Sequence, residues 1–380
     1  MQIWLFNPPT DRARIEALEQ IGVDTVVAGE QALDPLLETP LKTYAVAHAF
    51  PATGESEDLT IDIYGQPFQW FGSGCPNSPA IRTQFYRTMD RLLKGNIKGV
   101  FLDGVRFPSP ASSETNSGFF SCFCPRCQED MTTRGYDRET IMRDVRQTAD
   151  LILTGLSTTL QRWLRDLCSP AGWLTLNAAY PGLFAWFKYR ADCITDFVQE
   201  LSTWMCKSHT GKELAAFLFQ PCLAYFVGQD YRRLSPDLQI VSPMIYRNYP
   251  HRPGPATINQ EIMAMATLLW EGTSLSFAQC LQDLLHIFGL EVEEELPQNP
   301  DSLISMPIAH VTAETLAAAA FSGPRSKVIP IIWAGDHRLP ETIAALKQTG
   351  VEQAILFTYE AGVAAHKGQF HEILADRLRR

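Results

Sequence analysis

The stretch Lys98-Gly99-Val100-Phe101-Leu102-Asp103-Gly104-Val105-Arg106-Phe107-Pro108 starts as a buried β-strand and ends in charge. Val100, Phe101 and Leu102 form a short apolar run of the kind found in the middle of a parallel sheet. Asp103 and Arg106 follow at its carboxyl end. Charges in that position fit the mouth of a (β/α)8 barrel, where the loops after the strands build the active site. Asp103 is therefore read as a reactive carboxylate and Arg106 as its orienting partner, since a nearby guanidinium favours the charged form of a carboxylate. A purely structural pair bracing the loop is the alternative.

Seven further runs of strand character surround this one: Ile3–Phe6, Asp24–Ala28, Thr43–Ala49, Leu214–Phe219, Ile240–Ile245, Val328–Trp333 and Ala354–Thr358. Between most of them lie amphipathic helical stretches, among them Asp11–Gln20, Ala80–Leu93, Trp186–Cys206, Glu261–Phe288 and Glu341–Thr349. Eight strands alternating with helices predict a (β/α)8 TIM barrel, class α/β, as one domain over residues 1–380. A long excursion over residues 104–210 follows strand four. Within it, Trp173–Ala178 also reads as a short strand, and Glu291–Pro300 reads as an acidic surface loop. A doubly wound open sheet is the rival, weakened because no Gly-rich dinucleotide fingerprint follows strand one.

Composition narrows the function. The 380 residues are 46% hydrophobic and 19% charged, which excludes a disordered chain and supports a large core without staples. Lys plus Arg number 32 against 42 Asp plus Glu, a net charge of −10. That balance argues against nucleic acid or an anionic membrane as partner, because both recruit clustered basic residues. The start, Met1 to Pro9, has no basic segment, and its apolar run breaks at Asn7-Pro8-Pro9, so no signal peptide is expected. No apolar span of membrane length is seen either. Nine cysteines, an odd number, then favour a cytoplasmic protein with free or metal-bound thiols over a disulfide framework. A homo-oligomer is compatible with all of this.

The strongest local signal is Ser121-Cys122-Phe123-Cys124-Pro125-Arg126-Cys127. A turn through Pro125 can aim the three thiols at one point, and tetrahedral zinc needs a fourth ligand. Cys75, in Gly74-Cys75-Pro76-Asn77-Ser78-Pro79, is the expected one. A closed site of four thiolates, Cys75, Cys122, Cys124 and Cys127, holds a structural zinc and pins the loop after strand four to the loop after strand three. Buried, inert cysteines are the alternative, and a redox pair is a third.

Taken together, Gly74 to Pro79 with Arg82, the strand Val100 to Pro108, and the Cys122–Cys127 cluster resemble glycoside hydrolases with a TIM barrel. The cysteine quartet is similar to that of family 42 β-galactosidases, where it binds a zinc beside the strand-four loop. The resemblance covers most of residues 70–250. It implies the fold and the metal ligands. It does not carry over the galactosidase acid, because those enzymes end strand four in Asn-Glu, whereas this strand ends Leu102-Asp103-Gly104-Val105-Arg106. The closer likeness is to hydrolase-like barrels with a Leu-Asp-x-x-Arg-Phe-Pro strand followed by Pro243-Met244-Ile245-Tyr246 at strand six.

Glycoside hydrolysis uses two carboxyl groups across the scissile bond. At strand ends the partners for Asp103 are Glu360, after strand eight, and Asp336, after strand seven with His337 beside it. Asp230 reads as a helix cap or turn residue. Sugar rings stack on aromatic faces, and Trp4, Tyr246, Trp333 and Tyr359 stand at strand ends, with Tyr64, Trp70 and Phe71 after strand three. Tyr246, Trp333, Tyr359, Tyr64, Arg106 and Arg247 are the expected substrate contacts. His48 reads as a satisfied core histidine. The expected function is a carbohydrate-cleaving barrel enzyme, with a non-catalytic carbohydrate-binding barrel as the alternative.

Overall fold

The computed structural model describes the chain except residues 53, 113–114, 155–156, 251–256, 272, 293–294 and 379–380, with backbone alone at 56, 157 and 376–378. Its central sheet is built from the apolar runs anticipated above: β1 Gln2–Phe6, β2 Thr25–Ala28, β3 Lys42–His48, β4 Gly99–Asp103, β5 Glu213–Phe219, β6 Ile240–Met244, β7 in two pieces (Lys327–Val328 and Ile331–Trp333) and β8 Gln353–Phe357. The strands pair in parallel in chain order. β8 pairs with both β1 and β7, and β7 with β6, so the sheet closes into a (β/α)8 barrel. The break in β7 falls at Pro330, which has no N–H to give the ladder.

Side chains alternate across a strand, and register partners in neighbouring strands share a face. The pairs Val46 with Phe101, His48 with Asp103, Phe217 with Ser242 and Phe6 with Phe357 set the inward face. Aromatic rings fill it. Trp4 stacks on Tyr44 at 5.2 Å, Phe101 on Phe217 at 4.6 Å, and Phe6 meets Phe217 at 5.6 Å and Phe357 at 4.9 Å. The interior is thus a packed core, with His48 and Asp103 at its carboxyl-terminal end.

Several helices start where the sequence offers a cap. Asp11 accepts from the Arg14 N–H at the head of Arg12–Gln20, and Ser78 caps Pro79–Leu93 with proline in its first turn. Two expectations change. The stretch expected as one helix from Glu261 to Phe288 is two, Ile258–Glu271 and Phe277–Ile287, because Ser276 caps a fresh helix by accepting from the Gln279 N–H. The strand read at Trp173–Ala178 is instead part of the helix Pro170–Ala179, begun by Ser169 as cap and Pro170 in the first turn. Apolar periodicity over six residues does not separate the two states; the cap does. Asp230 caps Tyr231–Leu234, as its sequence context suggests. The described part of 291–300 carries no helix or strand.

Between β4 and β5 the chain runs through the helices Pro125–Thr133, Arg138–Thr154, Ser157–Leu167, Pro170–Ala179 and Pro181–Ser208. Arg138–Thr154 packs along Pro181–Ser208. Among the described residues no helix is long and apolar enough to cross a membrane.

Phe217→Ala removes the ring that contacts both Phe101 and Phe6. Denaturant unfolding should show a loss of about 3–5 kcal/mol, the usual cost of a buried Phe-to-Ala truncation.

Candidate functional site at the barrel mouth

β3 and β4 end side by side, so His48 and Asp103 project from adjacent strands onto the same face. Both are half-buried. The carboxylate of Asp103 has no hydrogen bond or ion pair among the described residues, although charged groups surround it. Arg106 is 5% exposed, with its guanidinium 4.6 Å from the Trp70 ring and 4.7 Å from Phe219. Its Nη1 donates to the Phe107 carbonyl at 2.9 Å and to Ser112 Oγ at 3.2 Å. Burial pushes Arg106 down to about 10, against the opposing pull of Glu261 and Asp103, so it remains a cation at neutral pH.

His48 is also fixed. Its Nε2 lies 2.8 Å from the hydroxyl of Ser73, which is fully buried. Burial lowers its pKa from the ordinary 6.5; Asp103 pulls it up and Arg106 pushes it down. Gly104 has a left-handed backbone (φ 69°), and a Cβ there would sit 3.0 Å from His48 Cε1 and 3.2 Å from Nδ1. Only glycine fits both constraints. Phe71, 51% exposed, places its ring 6.1 Å from the imidazole. Tyr246 is buried against Phe357 at 5.2 Å, and burial, reinforced by Asp103, raises its phenol well above its ordinary value. Its hydroxyl has no protein partner among the described residues. Asp103, His48, Arg106, Tyr246 and Phe71 therefore form one cluster.

The other expected site residues have different engagements. Asp336 accepts from Arg247 Nε at 2.6 Å and Nη2 at 3.0 Å, both side chains being buried, and also from Asn248, the Arg338 N–H and Thr342. Its lone pairs are consumed, and Arg247 spends its remaining nitrogen on the Met306 carbonyl at 2.7 Å. Glu360 is exposed and pairs with Arg14 at 2.8 Å. Tyr64 donates to Asp150 at 2.7 Å beneath the Arg146 guanidinium. The Tyr359 hydroxyl is 2.9 Å from His371 Nε2. Trp333 is buried with its ring 4.7 Å from Tyr249. His337 is an exposed neighbour of Asp336.

Three members of this region were not assigned a role from sequence. His48 looked like core, yet its place two residues beyond Val46 puts it on the inward face. Glu261 is a buried acid in an apolar helix. Its carboxylate accepts from Ser109 Oγ at 2.6 Å and the Ala111 N–H at 3.0 Å, bracing the β4 loop, while burial raises its pKa. The signal was a lone Glu between Ile258 and Ile262. Ser73 carries no sequence signal at all.

The four cysteines anticipated as ligands come together. The sulfurs of Cys75, Cys122, Cys124 and Cys127 all lie within 4.8 Å of one another, and all four residues are buried. Cys75 Sγ is 3.5 Å from Cys127 and 3.7 Å from Cys124. N–H groups point at the sulfurs: Ile61 at Cys122, Cys127 at Cys124, and the Asn77 amide at Cys127. Hydrogen bonds from Cys122, Cys127 and Cys75 favour the thiolate at Cys124. This group can hold a metal ion, and it joins the β3 loop to the β4 excursion.

No protein-family model matches the chain, and no match was found among curated proteins. Solved structures do match. A β-galactosidase from the psychrophilic Marinomonas ef1 has 11% identity and a TM-score of 0.58, covering 100% of this chain and 59% of that one. The catalytic domain of a Paenibacillus polymyxa β-amylase has 11% identity and a TM-score of 0.51, over 95% and 92% of the two chains. A β-galactosidase from the haloarchaeon Halorubrum lacusprofundi has 11% identity and a TM-score of 0.50, over 100% and 58%. The chain thus spans about three fifths of the length of these galactosidases. At such identities the likeness shows the fold: a TIM barrel of the kind used by glycoside hydrolases, family 42 β-galactosidases among them.

Two outcomes follow from the Asp336–Arg247 pair. Arg247→Ala strands a buried carboxylate and should cost about 3–5 kcal/mol in unfolding experiments. Asp336 has its pKa lowered below 3.8; burial opposes the shift, and the Arg247 hydrogen bonds and the Arg338 N–H overcome it. A depressed carboxylate contributes stability that is complete above its unfolded pKa and lost as pH falls through the folded one. The stability difference between native protein and Arg247→Ala should therefore be greatest at neutral pH and shrink as pH falls through the carboxylate range, beginning where the stranded Asp336 of the variant, raised by burial, takes up its proton.

Proposed function

We propose that this protein is a glycosidase-type barrel enzyme acting on a carbohydrate, with Asp103 as its central carboxylate. The observation that carries the reading is the contrast among the carboxylates. Asp336 is saturated by Arg247 and its neighbours. Asp103 alone of the three stands unpaired at the mouth of the barrel, between an imidazole, a phenol and an exposed aromatic ring. Phe71 offers a face for a sugar ring, while Tyr246 and His48 offer hydrogen bonds to its hydroxyls. Glu360 is the proposed second carboxylate: its ion pair with Arg14 is exposed, hence weak and exchangeable for a ligand. The fold shared with galactosidases and an amylase supports this reading by analogy.

The proposed ion of the cysteine centre is zinc, in a structural role. Four sulfurs at a bond length of about 2.3 Å from tetrahedral zinc stand about 3.8 Å apart, close to the 3.5 and 3.7 Å seen here. Four thiolates leave no open position for chemistry. The purified protein should carry about one zinc per chain by elemental analysis. Cys75→Ser should lose the metal together with thermal stability, since binding energy at such a site is folding energy.

A second reading, a carbohydrate-binding barrel without hydrolysis, is favoured by the engagement of Asp336 and Glu360 with arginines. One experiment separates the two. A panel of aryl glycosides and short oligosaccharides is offered to the native protein, Asp103→Asn and Glu360→Gln. Hydrolysis of one sugar class, reduced at least roughly a hundredfold by Asp103→Asn, supports the enzyme. Binding without cleavage, equal in native protein and variants, supports the binding barrel.

A further inference from the structure

Ser73 is fully buried, and its hydroxyl has one protein partner among the described residues, His48 Nε2 at 2.8 Å. Its backbone is spent on Trp70, whose N–H and carbonyl pair with it in both directions. This bookkeeping fixes the direction of the bond. If Nε2–H donated to Ser73, the serine proton would be stranded in a buried place without an acceptor. If Ser73 donates to Nε2, the fully buried hydroxyl is satisfied, and the imidazole proton sits on Nδ1 of the half-buried ring.

Nδ1 has no protein partner among the described residues. It lies along the Asp103–Gly104 edge of the ring, and the missing side chain of Gly104 leaves that edge uncovered: a Cβ would stand 3.2 Å from Nδ1. The register of β3 and β4 puts Asp103 beside it on the same face. We infer that Ser73 locks His48 as the Nδ1–H tautomer, and that this N–H holds a hydroxyl of the ligand bound at Asp103. His48 is thus a specificity-determining contact for a hydroxylated ligand, and Ser73 is a positioning residue that acts through it. The second half of this inference rests on the carbohydrate reading above; the first half does not.

The tautomer is read directly by long-range proton–nitrogen correlation spectra of protein labelled with 15N-histidine, with His48 assigned by its loss in His48→Gln. At pH 7.5 the native chain should show the Nδ1–H pattern, and Ser73→Ala should relax it to a mixture. A native Nε2–H pattern, or a native mixture, overturns the assignment whether or not Ser73→Ala folds. The ligand contact is tested with the aryl glycoside that the native protein binds best. Asn at position 48 can place an amide N–H near the Nδ1 position, whereas Gln reaches toward Nε2. His48→Asn should keep binding within about threefold, while His48→Gln should weaken it roughly tenfold, the scale of one hydrogen bond. Equal effects of the two variants overturn the contact. If no sugar binds the native chain, the carbohydrate reading and the ligand contact fall together, and the tautomer still stands or falls on the nitrogen spectrum.

Discussion

Everything at the mouth of this barrel depends on the two-residue period of its parallel strands. A strand can offer only alternate side chains to the interior, and the register decides which of them meet. Phe101 and Val46 are inward partners, so Asp103 and His48, two residues further on, must be inward partners as well. The aromatic filling of the lower barrel and the polar cluster at its mouth are consecutive layers of one arrangement. A slip of one residue in β3 or β4 would turn both outward.

The cysteine centre extends that order into the loops. Cys75 is two residues from Ser73, and the N–H of Cys75 is held by the Asp58 carbonyl at 2.8 Å. The same short segment therefore serves the thiol cluster at one end and the imidazole of His48 at the other. On the opposite side, Cys122, Cys124 and Cys127 anchor the start of the excursion that follows Asp103 and Arg106. The loops flanking the unpaired carboxylate meet at the thiol cluster and are joined beside it by hydrogen bonds, the Phe123 N–H to the Ile61 carbonyl and the Ile63 N–H to the Phe120 carbonyl. That arrangement lets a strand-end site be rigid although its walls are loops.

The barrel was legible because its strands are apolar runs that alternate with amphipathic stretches. The cysteine cluster was legible because three thiols in six residues have few other uses. Asp103 and Arg106 stood out as charges closing an apolar strand. What the sequence hid was pairing over long distance. Nothing local distinguishes Asp336, neutralised by Arg247 from 89 residues away, from Asp103, whose carboxylate has no ion pair or hydrogen bond among the described residues. Glu360 has the same strand-end position but meets Arg14. Ser73 acts through a contact with His48 that exists only after β3 and its loop fold back. Trp173–Ala178 differs for another reason: apolar residues spaced over only six positions suit either a strand or a helix, and Ser169-Pro170 decides for the helix.

Gly74, between Ser73 and Cys75, couples the two neighbours sterically. A Cβ there would lie 2.3 Å from the Asp58 carbonyl oxygen and 2.6 Å from Ile81. The segment accepts neither a side chain at this position nor an added residue without moving its neighbours. Room at Gly74 is thus a condition that Ser73 and Cys75 share: one tight backbone approach sets both the neighbour of His48 and the first thiol of the cluster.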